Sequence, residues 1–251
     1  NEALFGYNQI QNYLNQLKPN DDVIEIGCGS GILLSLIKEN YKNINIQGIE
    51  PFGYGFDNLR DLNKLIQSNG TEIHNISFEE LDTTKKFDLI FSINVFEHLN
   101  DWKKFLIKAK YLLKKDGKLI ILCPNYGFPY ESHFGIPIII NKKLTYLIFK
   151  NYIKNFEIKK SNIGLWKSLN FVKKREVRSF LKTNNYCGDF KMIDHKNIIN
   201  NMITRSLNDG KFRERQKFIS FIAIFLRKTG IIKLLILFPD FLPYMKLELF
   251  F

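Results

Sequence analysis

The chain is short of the residues that build extracellular staples, fibrous repeats or membrane spans. It has three cysteines, Cys28, Cys123 and Cys187, at spacings that make neither a metal-type motif nor a disulfide framework, which fits a reducing compartment. Fifteen glycines and seven prolines in 251 residues exclude a collagenous or low-complexity chain. No apolar run approaches the roughly 20 residues of a spanning helix, so an integral membrane protein is not expected. The opening NEALFGYNQI shows no basic-then-apolar leader. A cytoplasmic protein is therefore expected, with the inner face of the membrane as a further place of work. Only three alanines stand among many Lys, Asn and Ile, a pattern of AT-rich coding that accounts for part of the lysine excess. Apolar residues at 45% and aromatics at 14% rule out a disordered chain.

The net charge is +12, and it is unevenly placed. Residues 1–141 hold 14 basic and 17 acidic side chains, whereas residues 142–182 hold 12 basic and 2 acidic. Residues 183–251 hold 11 basic and 6 acidic. Codon bias acts along the whole chain and does not produce such a block. Either it is a solvated helical face or it is a surface for an anionic partner.

Periodicity divides the chain into alternating strands and helices. A helix is expected over 4–17, a buried strand at Val23–Ile26 and a helix from Ile32 to Ile37. A second strand over 44–50, a helix over 56–67 and a third strand over 72–76 follow. Phe87–Ser92 reads as strand, Trp102–Leu113 as helix and, after an Asp116-Gly117 turn, Lys118–Cys123 as a fifth strand. Alternation at this spacing predicts a parallel sheet covered on both faces, with ligands bound beyond the carboxyl ends of its strands. Residues 124–170 break the rhythm and read as an insert near the site. A helix over 171–181 and a strand over 189–194 come next. A second, helical insert over 196–243 carries apolar stretches at 218–226 and 231–238, and a last strand spans 244–251. The whole, 1–251, is read as a single domain.

The segment Glu25-Ile26-Gly27-Cys28-Gly29-Ser30-Gly31 lies between a strand and a helix. Glycines there let backbone approach a ligand closely, and the helix start offers unpaired N–H groups. The loop is not the G-x-G-x-x-G of dinucleotide folds. Two carboxylates sharpen it. Glu25 ends the first strand, within reach of a cationic amine. Glu50 ends the second, 19 residues after Gly31, where a carboxylate can accept both hydroxyls of a ribose.

With these residues the chain resembles the class I S-adenosylmethionine-dependent methyltransferases. The matching segments are EIGCGSG (25–31), IQGIEP (46–51), ISFEELD (76–82), FDLIFSINVFEHLND (87–101) and LLKKDGKLIILCPN (112–125). The resemblance implies an α/β, doubly wound, Rossmann-like sheet of seven mostly parallel strands, the last one antiparallel, with helical inserts. It also implies S-adenosylmethionine as cofactor. Gly27, Gly29 and Gly31 would line its methionine and ribose, Glu25 its amino group, and Glu50, with Pro51 beside it, the ribose hydroxyls. Ser77, Phe78 and Glu79 fall where the family holds adenine, and Ile93 and Asn94 where it supports the methionine end.

Methyl transfer from a sulfonium mainly needs donor and acceptor aligned, while a hydroxyl acceptor must also lose its proton. Of four histidines, His98 follows the fourth strand and His133 the fifth, so both should face one crevice. His74 and His195 sit in or beside strands and read as structural. The pattern Glu97-His98 with the later His133 resembles the magnesium-assisted branch of the family, which contains quinone and small-RNA 2′-O-methyltransferases. Asn94 stands where that branch has its first Glu, so one carboxylate of a divalent site is missing. A base role, metal ligation and loop orientation all remain open for the two histidines at this point, with Glu97, His98 and His133 the catalytic candidates and no protein metal site assigned. Trp166 and Tyr130 are candidates to line the acceptor pocket.

Acceptor choice falls to the inserts, 124–170 and 196–243. The basic block points to a phosphorylated, nucleotide-linked or lipid-phosphate-linked acceptor. Nucleic acid is the weaker partner, because the block is lysine-rich and matches no RNA-binding module. The 218–238 stretch suits a lid, a dimer contact or a peripheral membrane contact. An ESHFGIP loop after Pro124-Asn125 is similar to methyltransferases of bacterial surface polysaccharides. It implies O-methylation in capsule or lipopolysaccharide assembly. A methyltransferase fold kept as a non-catalytic binding subunit is the remaining alternative.

Overall fold

The computed structural model describes residues 2–53, 55–183, 190–230 and 237–250. Cys187, Asp189, Phe251 and the 231–236 part of the second apolar stretch lie outside the described residues. α1 (Glu2–Leu14) leads into β1 (Asp22–Ile26), α2 (Ile32–Asn40) and β2 (Asn45–Ile49). α3 (Arg60–Ser68), β3 (Ile73–His74), β4 (Phe87–Ile93), α4 (Trp102–Leu112) and β5 (Leu113–Pro124) continue the alternation. The first insert folds as a two-strand hairpin, β6 (Tyr130–Glu131) and β7 (Ile136–Pro137), followed by α5 (Lys142–Lys160) and α6 (Leu165–Ser168). Then come α7 (Lys174–Thr183) and β8 (Lys191–Asp194), three insert helices α8 (Ile198–Asn208), α9 (Gly210–Arg215) and α10 (Lys217–Thr229), and β9 (Tyr244–Phe250).

The main sheet has seven strands in the order β3-β2-β1-β4-β5-β9-β8. β9 runs antiparallel between β5 and β8, and the other neighbours pair in parallel. This is the doubly wound, mostly parallel architecture expected. Successive strand residues serve opposite faces, as the pleat requires. Ile24 and Ile121 join Leu106 and Val177 on one face, while Val23 and Ile120 join Ile10, Leu34 and Ile37 on the other. Both layers are apolar because helices cover both faces.

Several boundaries differ from expectation, three of them for a visible reason. β3 is only two residues long, because it is an edge strand with β2 as its single neighbour. Asp116-Gly117 is not the start of β5 but an irregularity within it. Asp116 takes φ +67, the pairing with β4 shifts register beside it, and the strand begins at Leu113. α7 starts at Lys174, since Phe171 adopts φ +58 and Lys173 N donates to Glu176 Oε2 at 3.3 Å, forming a helix start.

Asn125, 1% exposed, ties the inserts to the sheet. Its Nδ2 donates to the carbonyls of Asp240 and Leu242 at 3.0 and 2.8 Å. Its Oδ1 accepts from the backbone N–H groups of Gly127 and Lys174, both at 3.0 Å. One side chain thus joins the end of β5, the first insert, the start of α7 and the approach to β9.

Candidate active site

β1 stops at Ile26 because the chain turns at once through left-handed residues. Gly27 has φ +73, and a Cβ there would stand 2.3 Å from Val95 Cγ2. Gly29 has φ +53, with only Leu59 Cδ1, at 3.4 Å, near its missing Cβ. Gly27 is therefore glycine for packing against the β4 loop, and the absent side chain of Gly29 leaves space over the turn. Gly31 precedes α2 and completes the turn.

The two carboxylates flank this loop. Glu25 is 4% exposed and its Oε2 has no hydrogen-bond partner. Burial, with repulsion from Glu50, pushes its carboxyl up to about 8. A buried acid with an idle oxygen is costly unless a cation or donor completes it. Glu50 is 8% exposed. It accepts from Gly29 N at 2.8 Å and Phe52 N at 3.0 Å, which orders the loop. Burial raises its carboxyl above the ordinary range, against those two donors. Pro51 follows it, exposed. Asn63, a residue the sequence reading missed, sits fully buried on α3. It donates to Gly29 O at 2.7 Å and leaves its Oδ1 unpartnered.

Ser77, Phe78 and Glu79 form one turn after β3. Ser77 N donates to Glu80 Oε2 at 2.8 Å, and Glu80 N donates back to Ser77 Oγ at 3.2 Å. The Phe78 ring packs on Phe105 with centroids 4.7 Å apart, and Lys108 Nζ donates to the carbonyls of Phe78 and Glu79. What this turn can offer a planar ligand is thus Ser77 and backbone rather than the Phe78 ring. Ile93 ends β4 and packs partly in the core. Asn94, at φ +57, turns the chain away and lines a large cavity.

Glu97, His98 and His133 meet beyond the ends of β4 and β5. Their ligand atoms lie within 4.8 Å of one another. Glu97 and His98 ride on a single helical turn, 96–98, held from outside by Asn170. Asn170 Nδ2 donates to the carbonyls of Phe96 and Leu99 at 2.8 and 3.0 Å, and its N–H donates to Glu97 O at 2.8 Å. His133 sits at the tip of the β6–β7 hairpin. Glu131, fully buried, anchors it. Its Oε1 accepts from His133 N at 3.1 Å and pairs with His133 Nδ1 at 2.6 Å. Tyr126 Oη and Phe134 N donate to the same carboxylate.

The tautomers follow from partner chemistry. Burial pushes the Glu131 carboxyl up, yet His133 and two backbone N–H groups hold it below the ordinary range. It is ionised and can only accept, so His133 Nδ1 carries a proton and donates to it. Ser168 Oγ donates its single proton to Leu165 O at 2.8 Å. It must therefore accept, at 2.8 Å, from His98 Nδ1, leaving a lone pair on His98 Nε2, which has no partner. Burial, helped by His133 and Lys142, holds His98 far below the ordinary imidazole value. Burial pushes Glu97 up to about 7, although His133 pulls it down. Its Oε1 lies 3.8 Å from Nε2 of each histidine.

His98, His133 and Asn94 open into a cavity of about 700 Å³ between the inserts. Phe56, Phe128, Phe156, Ile203 and Phe241 supply much of its wall, and Lys160 stands on its rim. Tyr130 lines it and donates to Gln216 at 3.0 Å. Trp166 instead packs among Phe134, Tyr146 and Phe171. His74 pairs with exposed Glu72, and His195 with Tyr13 and Glu248, both away from the cavity. The signals available for Glu131 and Asn170 were weak, since both lie in inserts without periodicity.

Magnesium prefers six oxygen ligands. One carboxylate and two imidazole nitrogens, with Asn94 in place of a second acid, do not suit it. That donor set suits a borderline divalent ion better.

A glycine turn and two buried acids at the carboxyl end of a parallel sheet, with a cavity beyond β4 and β5, have the form of a group-transfer site for a nucleoside-bearing donor. The family model of the methyltransferase domain matches residues 7–157, and the chain belongs to that family. It is an S-adenosylmethionine-dependent methyltransferase. An uncharacterized protein of Mycobacterium tuberculosis is 29% identical over 218 residues, covering 86% of this chain and 73% of that protein. The malonyl-[acyl-carrier protein] O-methyltransferase of Calditerrivibrio nitroreducens is 33% identical over 134 residues, 53% of this chain and 49% of its own. Among solved structures, the plantazolicin methyltransferase in complex with a desmethyl analog and SAH matches with TM-score 0.56. It has 12% identity, over 99% of this chain and 84% of that one. A mycolic acid cyclopropane synthase matches with TM-score 0.52 and 15% identity, over 96% and 82%. The likeness to these two structures is one of fold. No helix among the described residues is long and apolar enough to cross a membrane.

Proposed function

We propose that the chain O-methylates a hydroxyl of an acceptor bound in the insert cavity, with His133 as the general base. The observation that carries this reading is the Glu131–His133 pair, which fixes a ring in the cavity wall with its Nδ1 on a buried carboxylate. S-adenosylmethionine, when bound, supplies the methyl group on its sulfonium. Glu25, with its idle oxygen, suits the cofactor's ammonium, and Glu50, with the space left by the missing side chain of Gly29, suits its ribose. Glu25 fits the group because it is buried with one oxygen unpartnered, and Glu50 because its buried carboxylate closes on the glycine loop. As the acceptor oxygen gains the methyl, it loses its proton to Nε2 of His133. Glu131 on Nδ1 and Glu97 near Nε2 offset the charge of the imidazolium. Alignment within the closed site supplies most of the acceleration, on the order of 7–11 kcal/mol.

The acceptor class we infer is a phosphorylated, nucleotide-linked or lipid-phosphate-linked sugar or small molecule of capsule or lipopolysaccharide assembly. Lys160 at the rim supports an anionic group there. The phenylalanine-lined wall supports a second reading, an acceptor with an aromatic or acyl portion such as a quinol. Transfer from labelled S-adenosylmethionine to sugar nucleotides, polyprenyl-phosphate sugars, quinols and small RNAs separates these. Labelling of the phosphate-bearing sugars is expected. Labelling of quinols alone would favour the second reading, and labelling of RNA alone would overturn both.

A further inference from the structure

α5 has an outward face that neither the cofactor site nor the acceptor cavity explains. Thr145 and Ile153 are its only fully buried residues. Leu147, Ile148 and Ile158 are 62%, 57% and 67% exposed, and Ile140 and Ile163 beyond its ends are 84% and 70% exposed. Leu147 and Ile158 lie eleven residues apart, about three turns, so they share one line along the helix. Lys143, Lys150 and Lys154 recur along one flank of that line, and Lys159 lies on the other. The single acid of the helix, Glu157, turns inward and accepts from Trp166 N at 2.8 Å. Among the described residues no carboxylate pairs with Lys143, Lys150, Lys154, Lys159 or Lys160.

Aliphatic side chains held in water beside uncompensated lysines are an unusual surface. A second copy would set lysines against lysines with no acid to separate them. A nucleic acid would use the charge and leave the aliphatics wet. A bilayer with anionic headgroups takes both, with ammonium groups among the phosphates and aliphatic tips in the acyl boundary. We propose that the outward face of α5 docks on an anionic lipid bilayer. Lys160 ends the same helix and lines the cavity rim, so docking brings the cavity mouth to the headgroups. This proposal stands on α5 alone and does not rest on the methyl-transfer reading.

Vesicle flotation of the full chain tests it, using phosphatidylcholine vesicles with and without phosphatidylglycerol. The chain is expected to float with the phosphatidylglycerol vesicles and to stay behind with phosphatidylcholine alone. Lys143→Gln/Lys150→Gln/Lys154→Gln should weaken binding about 100-fold, at roughly a factor of five per lysine. Leu147→Asn/Ile148→Asn/Ile158→Asn should release the protein although its charge is unchanged. All six positions are solvent-facing, and unchanged melting temperature and S-adenosylmethionine binding would confirm intact folds. Failure to float, or flotation that survives either triple variant, overturns the proposal. So does a dimer, seen by sedimentation without vesicles, that the aliphatic variant abolishes.

Discussion

His133 Nδ1 stands 2.6 Å from Glu131 Oε1, and the same carboxylate takes three other donors from Tyr126, His133 N and Phe134 N. A hairpin side chain is thereby locked in one ring orientation, with an Nδ1 proton on the carboxylate. Glu131→Gln keeps the shape and a carbonyl oxygen for the three donors at Oε1, but removes the charge that offsets an imidazolium and sets an amide N–H against Phe134 N. Methyl transfer should fall between about 10²- and 10⁴-fold in this variant and in His133→Ala. S-adenosylmethionine affinity, read by calorimetry, should not change. Full activity in both would remove His133 as the base.

Glu97 titrates near 7 because burial opposes its charge. Above that pH it is ionised and, 3.8 Å from His133 Nε2, it favours the imidazolium formed during transfer. The turnover rate should therefore rise as pH climbs through about 7. Glu97→Gln should lower the plateau and flatten that limb. An unchanged profile in Glu97→Gln would place the titration elsewhere.

Asn170 touches neither the cavity nor the cofactor turn, yet it holds the turn that carries Glu97 and His98. Removing it leaves buried carbonyls unpaired, at a cost of about 1–3 kcal/mol. Asn170→Ala should melt at lower temperature and lose turnover while keeping its cofactor affinity. Its pH profile should lose the Glu97 limb, which a merely destabilised protein would retain.

The donor set at Glu97, His98 and His133 argues against magnesium. Activity should be the same with magnesium added and after treatment with a chelator. Zinc, which accepts imidazole and carboxylate together, should inhibit, and should do so less in His98→Ala. Loss of activity on chelation, restored by magnesium, would show that the missing carboxylate is made good by other ligands.

The sheet was legible because its central strands are rich in buried aliphatic residues and end at turns, as at Val23–Ile26 before Gly27. Glu25 and Glu50 were legible because strand ends in a parallel sheet all point to one crevice. His98 and His133 were readable for the same reason. Glu131 was not, because its role depends on a two-residue strand and a hairpin that brings it back to His133. Asn170 and Asn63 act through backbone carbonyls distant in sequence, which leave no periodic trace. The charge block was legible in amount but not in direction. Most of its lysines on α5 face outward, and of these Lys160 reaches the cavity.

In the proposed function Glu25 is the buried carboxylate that receives the cofactor's ammonium. Without ligand its carboxyl titrates near 8, above the ordinary range of the unfolded chain. Its contribution to stability is therefore full at low pH and is lost as pH rises toward 8. At pH 7 the ligand-free protein holds this proton, and an ammonium placed beside it lowers the carboxyl and expels it. Calorimetric titration with S-adenosylmethionine at pH 7, in buffers of different ionisation enthalpy, should show binding with release of about one proton. Glu25→Gln should bind weakly and release almost none. Folded protein that binds no S-adenosylmethionine, or binds it with the same proton count in Glu25→Gln, would contradict the account.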